Sequence, residues 1–434
     1  MDPPIKPMPG AWFFTLFVIG AMVALNVYEF SRNSRNQPTS RQATAISSIE
    51  FRLKQDFVEG GPALGQKFDP WKSLEELNAL TGPARPLASR LGLVIEHEYK
   101  LYGPSAAYWQ LTQEKGKNAE AWRKLYSKSA LTSVDEAEIK KEIARTDLGW
   151  SRVLARAHLD ERLGKDPDRD RIKNKALAGL SISALVILTM LLAALLGLVF
   201  WLLRLKRGAA AAIDPRPALN LPPWAYDGLA AAAGIYILAI ALIPSPRDSG
   251  SGWHMPTNLL IGVWLALAWM HRVIQRAGGE SPLRFHSDRA WHEALSGYCR
   301  FAALLFPLFA LSIWITLDLP QPKSAISDVD LLSMPWASAT ALFLTASIIA
   351  PITEEIVFRA GLFVALWQRT GRPYLSAWIT AFAFAIIHPQ FIGGLLGVTA
   401  LAVIMALAYA RTRSLAAPIL IHAINNGLIT LLAA

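Results

Sequence analysis

The sequence predicts an all-α fold: a polytopic membrane helix bundle of about nine spans, with an all-helical extramembrane domain inserted between the first two spans. The 434-residue chain is 53% hydrophobic and only 18% charged, whereas soluble proteins carry about 25% charged residues. The missing charges leave long apolar runs. Residues 176–203 contain no charged side chain over 28 residues, which exceeds the roughly 20 residues that a helix needs to cross a bilayer.

Nine apolar segments are candidate spans, and the shorter ones must extend into their flanks, tilt or re-enter the membrane. They lie approximately at residues 11–28, 176–203, 225–244, 257–271, 299–317, 336–353, 374–388, 391–410 and 414–433. We expect the first to be a retained anchor helix, because no small-residue cleavage site follows it closely. The predicted domains are a membrane anchor at 1–30, a helical extracytoplasmic domain at 31–172, a second span with a cytoplasmic linker at 173–215, and an intramembrane core at 216–434.

Basic residues predict the orientation of the chain. Much of the net charge of +10 lies in short segments beside apolar runs, such as 204–208 and 410–414. This pattern favours membrane orientation over nucleic-acid binding, and we expect no nucleic-acid partner. The intervening loops 245–256 and 318–335 carry one basic residue each. The sequence therefore predicts a multi-pass protein of the inner (plasma) membrane, with a cytoplasmic N-terminus and residues 31–172 on the opposite side.

The polar block at 31–172 has apolar residues at helical spacing over 118–130 and 135–164, which predicts a small all-helical domain. Such a domain can recruit a substrate or a protein partner. Its residues His97 and His158 lie far apart in the sequence and show no ligand spacing. We expect packing or surface roles for both histidines, and no metal-ligand cluster in this domain.

Three ionisable side chains interrupt an apolar segment in the stretch PITEEIVFRAG, residues 351–361. A charge at the bilayer centre costs about 2.5–3.5 kcal/mol on the lenient insertion scale, so these groups should be paired or face an aqueous cavity. Glu355 and Arg359 are four residues apart with the acid first, which is the favourable order for a helical ion pair. Glu354 has no such helical partner, so it either needs one from another span or sits partly protonated in a low-dielectric site.

Two later spans carry polar residues that can meet Glu354. His388 follows Phe384 by one helical turn at the end of an apolar run, and His422 lies inside the last span with Asn426 on the same helical face. Histidine and asparagine in membranes also stabilise helix packing through hydrogen bonds. The conjunction of polar residues from three apolar spans nevertheless predicts a shared functional site.

The three motifs, EEIVFR at 354–359, FAIIH at 384–388 and HAINN at 422–426, resemble those of a known family. It is the CAAX-protease and bacteriocin-processing family (CPBP, or Abi) of intramembrane endopeptidases, also described as type II CAAX prenyl endopeptidase-like. The resemblance covers roughly residues 220–434 and departs from the family at Ala360, where members usually have glycine. It implies hydrolysis of a peptide bond in a membrane-associated protein or peptide at the lipid bilayer.

The resemblance also implies a role for each residue. Glu354 and His388 would activate the attacking water, while His422 and Asn426 would polarise the scissile carbonyl and stabilise the oxyanion. The expected supporting residues are Glu355, Arg359 and Phe384. No cofactor is favoured, because an HExxH motif is absent. A zinc ion held by Glu354, His388 and His422, with an open position for water, stays open as an alternative.

Two other functions remain open at this point. The same fold can serve as a catalytically inactive membrane scaffold or immunity protein, since fold alone does not imply function. A glutamate and histidine cluster can also relay protons in a proton-coupled transporter. The two halves of the sequence show no internal symmetry, which disfavours the transporter.

The predicted site requires an unusual sixth span. If the sixth and seventh spans were straight, Glu354 and His388 would lie near opposite faces of the membrane. We therefore expect one long element from Pro335 to about Gln368, kinked near Pro351, which places Glu354 near the middle of the bilayer.

Overall fold

The computed structural model describes residues 9–34, 37–58, 68–101, 105–146, 148–206, 213, 219, 221–242, 254–319, 335–388 and 391–432. This described part consists of helices and contains no β-strand, which confirms the predicted all-α fold class. The chain divides into two compact units. The membrane unit comprises Met1–Phe30, Leu185–Ile315 and Met334–Leu432, and the helical unit comprises Ser31–Ala184, Thr316–Ser333 and Ala433–Ala434.

Short helices build the helical unit, and several begin at side chains that satisfy free backbone amides. They are α2 (Ser40–Phe57), α3 (Pro70–Asn78), α4 (Arg85–Glu98), α5 (Ala106–Gln113), α6 (Lys117–Tyr126), α7 (Ser133–Arg145), α8 (Ser151–Arg162) and the first part of α9 (Arg169–Lys206). Thr39 and Thr132 form capping boxes with Gln42 and Asp135, respectively. Each box satisfies two backbone donors that a helix start otherwise leaves without acceptors.

The core of the helical unit is apolar, with Leu91, Trp122 and Leu154 almost completely buried. His97 and His158, which show no ligand spacing in the sequence, are neighbours in the structure. Helices α4 and α8 place the two imidazole rings with their centroids 3.6 Å apart. Spacing along the chain could not reveal this contact, because it arises where two helices that are distant in sequence pack side by side.

All nine predicted spans correspond to helices. Besides α9, they are α1 (Pro9–Ser34), α10 (Pro223–Leu242), α11 (His254–Ala277), α12 (Ala290–Thr316), a long element (336–370), α16 (Pro373–Ile386), α17 (Phe391–Thr412) and α18 (Ala416–Leu432). In the described part, seven helices are long and apolar enough to cross a membrane, while α16 and α18 are shorter, with 14 and 17 residues. The chain is therefore a multi-pass membrane protein.

The long element is helical from Trp336 to Thr370 and contains two π-helical stretches. In order, it consists of α13 (Trp336–Leu344), a π-helix (Thr345–Ile349), α14 (Ala350–Glu355), a second π-helix (Ile356–Phe363) and α15 (Val364–Thr370). The predicted long sixth element is therefore present. Wider π turns often occur at functional sites in helices.

The long element packs closely against its neighbours in the membrane unit. A Cβ atom added at Gly361 would lie 3.2 Å from the carbonyl oxygen of Leu229 in α10, so glycine permits this close approach. On another side, the rings of Phe358 and Phe384 meet edge to face with their centroids 5.0 Å apart. These contacts hold the segment that carries Glu354 against α10 and α16.

Candidate active site

A buried ion-pair network lies at the centre of the candidate site. Arg359 Nε donates to Glu355 Oε2 at 2.7 Å, and both side chains are 0% exposed. The predicted helical pair is therefore present. His422 in α18 extends it, because its Nδ1 lies 3.1 Å from Glu355 Oε1. A carboxylate only accepts hydrogen bonds, so this contact places a proton on Nδ1 of His422.

Glu354 lies beside the opposite nitrogen of the same imidazole. Its Oε2 is 3.8 Å from His422 Nε2, and its side chain retains 16% exposure while that of His422 retains 5%. Two adjacent glutamates thus face the two nitrogens of one ring. Glu354 is the more accessible of the pair, and Glu355 is completely enclosed. The sequence indicated that Glu354 needs a partner from another span, and α18 supplies one.

His388 lies two residues beyond the end of α16 and is half-buried. Its Nδ1 is 2.6 Å from the carbonyl oxygen of Phe384. Because a carbonyl oxygen only accepts, Nδ1 is the donor, and Nε2 of the neutral ring keeps a lone pair that can accept a proton. The Phe384 ring contacts both imidazoles, with centroid distances of 4.6 Å to His388 and 5.9 Å to His422. His388 therefore joins the cluster through Phe384.

Asn426 anchors α18 to the first π-helix of the long element. Its Nδ2 donates to the carbonyl oxygen of Ala346 at 3.1 Å, and its Oδ1 accepts from Nδ2 of Asn425 at 3.3 Å. One Nδ2 hydrogen is used in this arrangement, and an amide nitrogen carries two. The second hydrogen is the one that a reacting carbonyl could receive.

The carbonyl of Ala346 is available because of local backbone geometry. The amide of Ala350 donates to Thr345, five residues back, and so does not pair with Ala346 in the usual helical manner. The next residue, Pro351, has no N–H to donate. The carbonyl of Ala346 therefore accepts from the Asn426 side chain. This acceptor was not predicted from the sequence, although a proline inside a helical segment is a signal for a carbonyl without its usual donor.

A second hydrogen bond, next to Glu354 in the chain, was also not predicted from the sequence. The hydroxyl of Tyr236 in α10 lies 3.0 Å from Oγ1 of Thr353, and both side chains are buried. Thr353 in turn donates to the carbonyl of Ala350 at 3.0 Å. Tyr236 therefore connects α10 to the turn of helix that precedes Glu354. Neither residue stands out in the sequence, because tyrosine and threonine are common in membrane helices.

The geometry bears on the zinc alternative. Glu354 and Glu355 face different nitrogens of His422, so one ion at either nitrogen would meet only one of the two carboxylates. Nδ1 of His388 is hydrogen-bonded to a backbone carbonyl. Among the described residues, Glu354, His388 and His422 do not form a group of three ligand atoms within 4.8 Å of one another. This arrangement does not bring together three zinc ligands.

Residues 336–428 match the model of the Rce1-like type II CAAX prenyl endopeptidase family. The family resemblance is confirmed. The match begins later than the span of roughly 220–434 expected from the motifs, and we call it the Rce1-like segment. It includes the long element, α16, α17 and the part of α18 that carries His422 and Asn426.

Two curated relatives match part of the chain at moderate identity. The chain is 33% identical over 91 residues to the putative membrane peptidase YdiL of Bacillus subtilis (strain 168). It is 37% identical over 92 residues to the membrane-embedded CAAX protease MroQ of Staphylococcus aureus (strain USA300). These stretches represent 21% and 20% of this chain and 36% of each relative, so the chain spans about a third of the length of either. No solved structure matches.

Proposed function

We propose that the protein is an intramembrane endopeptidase that hydrolyses a peptide bond of a membrane-associated protein or peptide. The observation that carries the proposal is the position of His422, whose two ring nitrogens face Glu354 and Glu355 inside the bundle. These residues come from two of the three motifs of the Rce1-like segment, and both relatives are named as peptidases or proteases. The proposed substrate is therefore a peptide or a protein.

In the proposed reaction, Glu354 and His388 act on the attacking water. Glu354 is the accessible carboxylate of the pair, and His388, whose Nδ1 donates to Phe384, has a lone pair on Nε2 in its neutral form. Either group can accept a proton as the water oxygen attacks the scissile carbonyl carbon. The same proton then passes to the amine nitrogen as the C–N bond breaks, which balances the hydrolysis.

The remaining groups stabilise the developing oxyanion and hold the site in shape. Asn426 offers its second Nδ2 hydrogen, and His422 Nε2 donates whenever its ring carries two protons. Loss of one such donor costs about 2.7–4 kcal/mol of transition-state stabilisation in a well-studied protease. Arg359 neutralises Glu355 and so fixes the carboxylate that orients His422. In this proposal residues 31–172 face away from the cytoplasm and recruit the substrate or a protein partner.

The test compares bacterial strains that express the wild-type protein or the Glu354→Gln variant. The isosteric substitution removes the proposed base and keeps the size of the side chain. We expect peptides with new termini, derived from membrane or secreted proteins, in the wild-type strain and their loss in the variant. Mass spectrometry of protein termini measures this, and immunoblotting of membranes checks that both proteins accumulate equally.

The control is Glu280→Gln, which changes an exposed glutamate between α11 and α12. This strain should give the same termini as the wild type. Identical termini in all three strains would overturn the protease proposal. If the phenotype of a strain that lacks the protein is still corrected by Glu354→Gln, the scaffold function is favoured. Solute uptake that depends on a pH gradient, in liposomes containing the purified protein, would favour the transporter.

A further inference from the structure

The helical unit contains a cluster of three side chains that have metal-ligand chemistry. His97 lies in the last turn of α4, while His158 and Glu161 lie on one face of α8, three residues apart. Their ligand atoms all lie within 4.8 Å of one another. From this cluster we propose that His97, His158 and Glu161 bind a divalent transition-metal ion of the zinc type, with one coordination position open to solvent. The inference is independent of the proposed peptidase activity.

The distances suit a tetrahedral ion. His97 Nε2 is 3.2 Å and His158 Nδ1 is 3.7 Å from the same atom, Glu161 Oε2. Bonds of about 2.0–2.1 Å to a tetrahedral zinc ion separate neighbouring ligand atoms by about 3.3 Å. Small rotations of the side chains therefore bring all three atoms to bonding distance. Two histidines and one glutamate also form the ligand set of known catalytic zinc sites.

The ring of His158 supports the assignment, because its Nδ1 is buried and has no hydrogen-bond partner within the described residues. The nearby oxygen of Glu161, at 3.7 Å, is too distant for a hydrogen bond. A buried polar atom without a partner costs about 1–3 kcal/mol, and a bound ion would remove this cost.

Arg169 orients the carboxylate of the cluster. Its guanidinium donates to Glu161 Oε1 at 2.7 Å and to Glu98 Oε2 at 2.9 Å. The arginine therefore occupies one oxygen of Glu161 and leaves Oε2 turned towards the two imidazoles. Metal-binding side chains are usually held in this way by a second layer of hydrogen bonds, whose loss lowers metal affinity by about 10–100-fold.

The cluster opens onto a cavity of about 770 Å³ within the helical unit. Tyr126 lines this cavity, and its hydroxyl is buried without a hydrogen-bond partner in the part of the chain that the structure describes. Its ring lies 4.8 Å from that of His158. Closed structural zinc sites have four protein ligands, whereas three ligands beside a cavity leave room for a water or a small polar ligand. The geometry therefore indicates an open site.

The test uses the full-length protein, purified in detergent without a histidine tag and stripped of metal with a chelator. Cobalt(II), a spectroscopic substitute for zinc, is titrated while the visible absorption typical of tetrahedral coordination is recorded, and zinc affinity is measured by competition with a coloured chelator. We expect one equivalent bound per wild-type chain. Glu161→Gln and His158→Ala should each weaken binding by more than about 100-fold, and Arg169→Gln by about 10–100-fold.

Two histidine variants serve as controls. His286→Ala removes an exposed histidine of the α11–α12 connection and should bind like the wild type. His422→Ala removes the histidine of the candidate active site, so retention of the cobalt signal in this variant assigns the ion to the helical unit. The isosteric Glu161→Gln keeps the test valid if His158→Ala does not fold. Absence of binding in the wild type, or unchanged affinity in Glu161→Gln, would overturn the proposal.

Discussion

At the residue scale, Glu355 connects the parts of the candidate site. It is completely buried, accepts hydrogen bonds from Arg359 and contacts His422 in another helix. Phe384 adds a further contact, since the Arg359 guanidinium lies 5.5 Å from its ring centroid. The guanidinium of Arg359 thus contacts both a carboxylate and an aromatic ring. The position of His422, and with it the nitrogen presented to Glu354, depends on this buried pair.

We predict that Glu355→Gln strongly destabilises the protein, because it leaves the buried Arg359 charge without its counter-ion. Removing one partner of a buried ion pair costs about 3–5 kcal/mol, whereas replacing both partners by neutral groups of similar volume is often nearly neutral. The double variant Glu355→Gln/Arg359→Met should therefore be more stable than the single variant. Unfolding in mixed detergent micelles measures both free energies. Equal losses in the two variants would contradict this assignment.

At the scale of elements, the long helix illustrates what the sequence could predict. Two features pointed to it in advance: the apolar length after Pro335, and the need for Glu354 to meet residues of other spans. Its two π-helical stretches were not predictable, because hydrophobic periodicity does not distinguish a π turn from an α turn over a few residues. The first of them nevertheless decides where Asn426 binds, since it leaves the carbonyl of Ala346 available.

We predict that Pro351→Ala impairs cleavage without lowering stability. The substituted residue would supply an N–H that can pair with the carbonyl of Ala346 and compete with Asn426. Alanine also has a much higher helix propensity than proline. Mass spectrometry measures the loss of the cleavage-derived termini, and unfolding in detergent measures the free energy of unfolding. Pro373→Ala is the matched control, because Pro373 begins α16, where an amide has no helical acceptor. Full activity in Pro351→Ala would contradict the role given to this carbonyl.

In the helical unit, Glu136 connects α7 to the segment after α8. Its Oε1 accepts from Lys140 at 2.7 Å and from Lys165 at 2.8 Å. The hydrogen bond from Lys140, followed by that from Lys165, lowers the pKa of Glu136 from 4.5 to about 2. A carboxyl whose folded pKa is depressed stabilises the fold above its unfolded pKa, and this contribution disappears as the pH falls through the folded pKa.

We therefore predict that Glu136→Gln lowers the unfolding temperature of the full-length protein at neutral pH, and that the difference shrinks between pH values of about 4.5 and 2. Thermal unfolding followed by circular dichroism at several pH values measures this. Glu75→Gln, an exposed glutamate of α3, is the control and should unfold like the wild type throughout. A difference that grows as the pH falls would contradict the sign of the effect.

At the scale of the whole molecule, sequence patterns predicted the helices better than their contacts. Composition and apolar length were sufficient to locate a helix for every predicted span, and seven of these helices in the described part of the chain are long enough to cross a membrane. The polar motifs also indicated which spans meet, since charged groups inside a membrane require partners. No comparable constraint acts on the helical unit. His97 and His158 could therefore not be paired from the sequence, although the structure places them in contact.

The orientation of the chain remains a prediction, and its single cysteine makes a direct test practical. Cys299 is 2% exposed, so it should give little background with a membrane-impermeant thiol reagent. We predict that Ser129→Cys, in the exposed segment between α6 and α7, reacts with this reagent while the membrane that holds the protein is intact and sealed. Glu280→Cys, in the basic connection between α11 and α12, should react only after that membrane is disrupted, because basic loops stay in the cytoplasm. The opposite pattern of labelling would contradict the predicted topology and show that the N-terminus lies outside the cytoplasm.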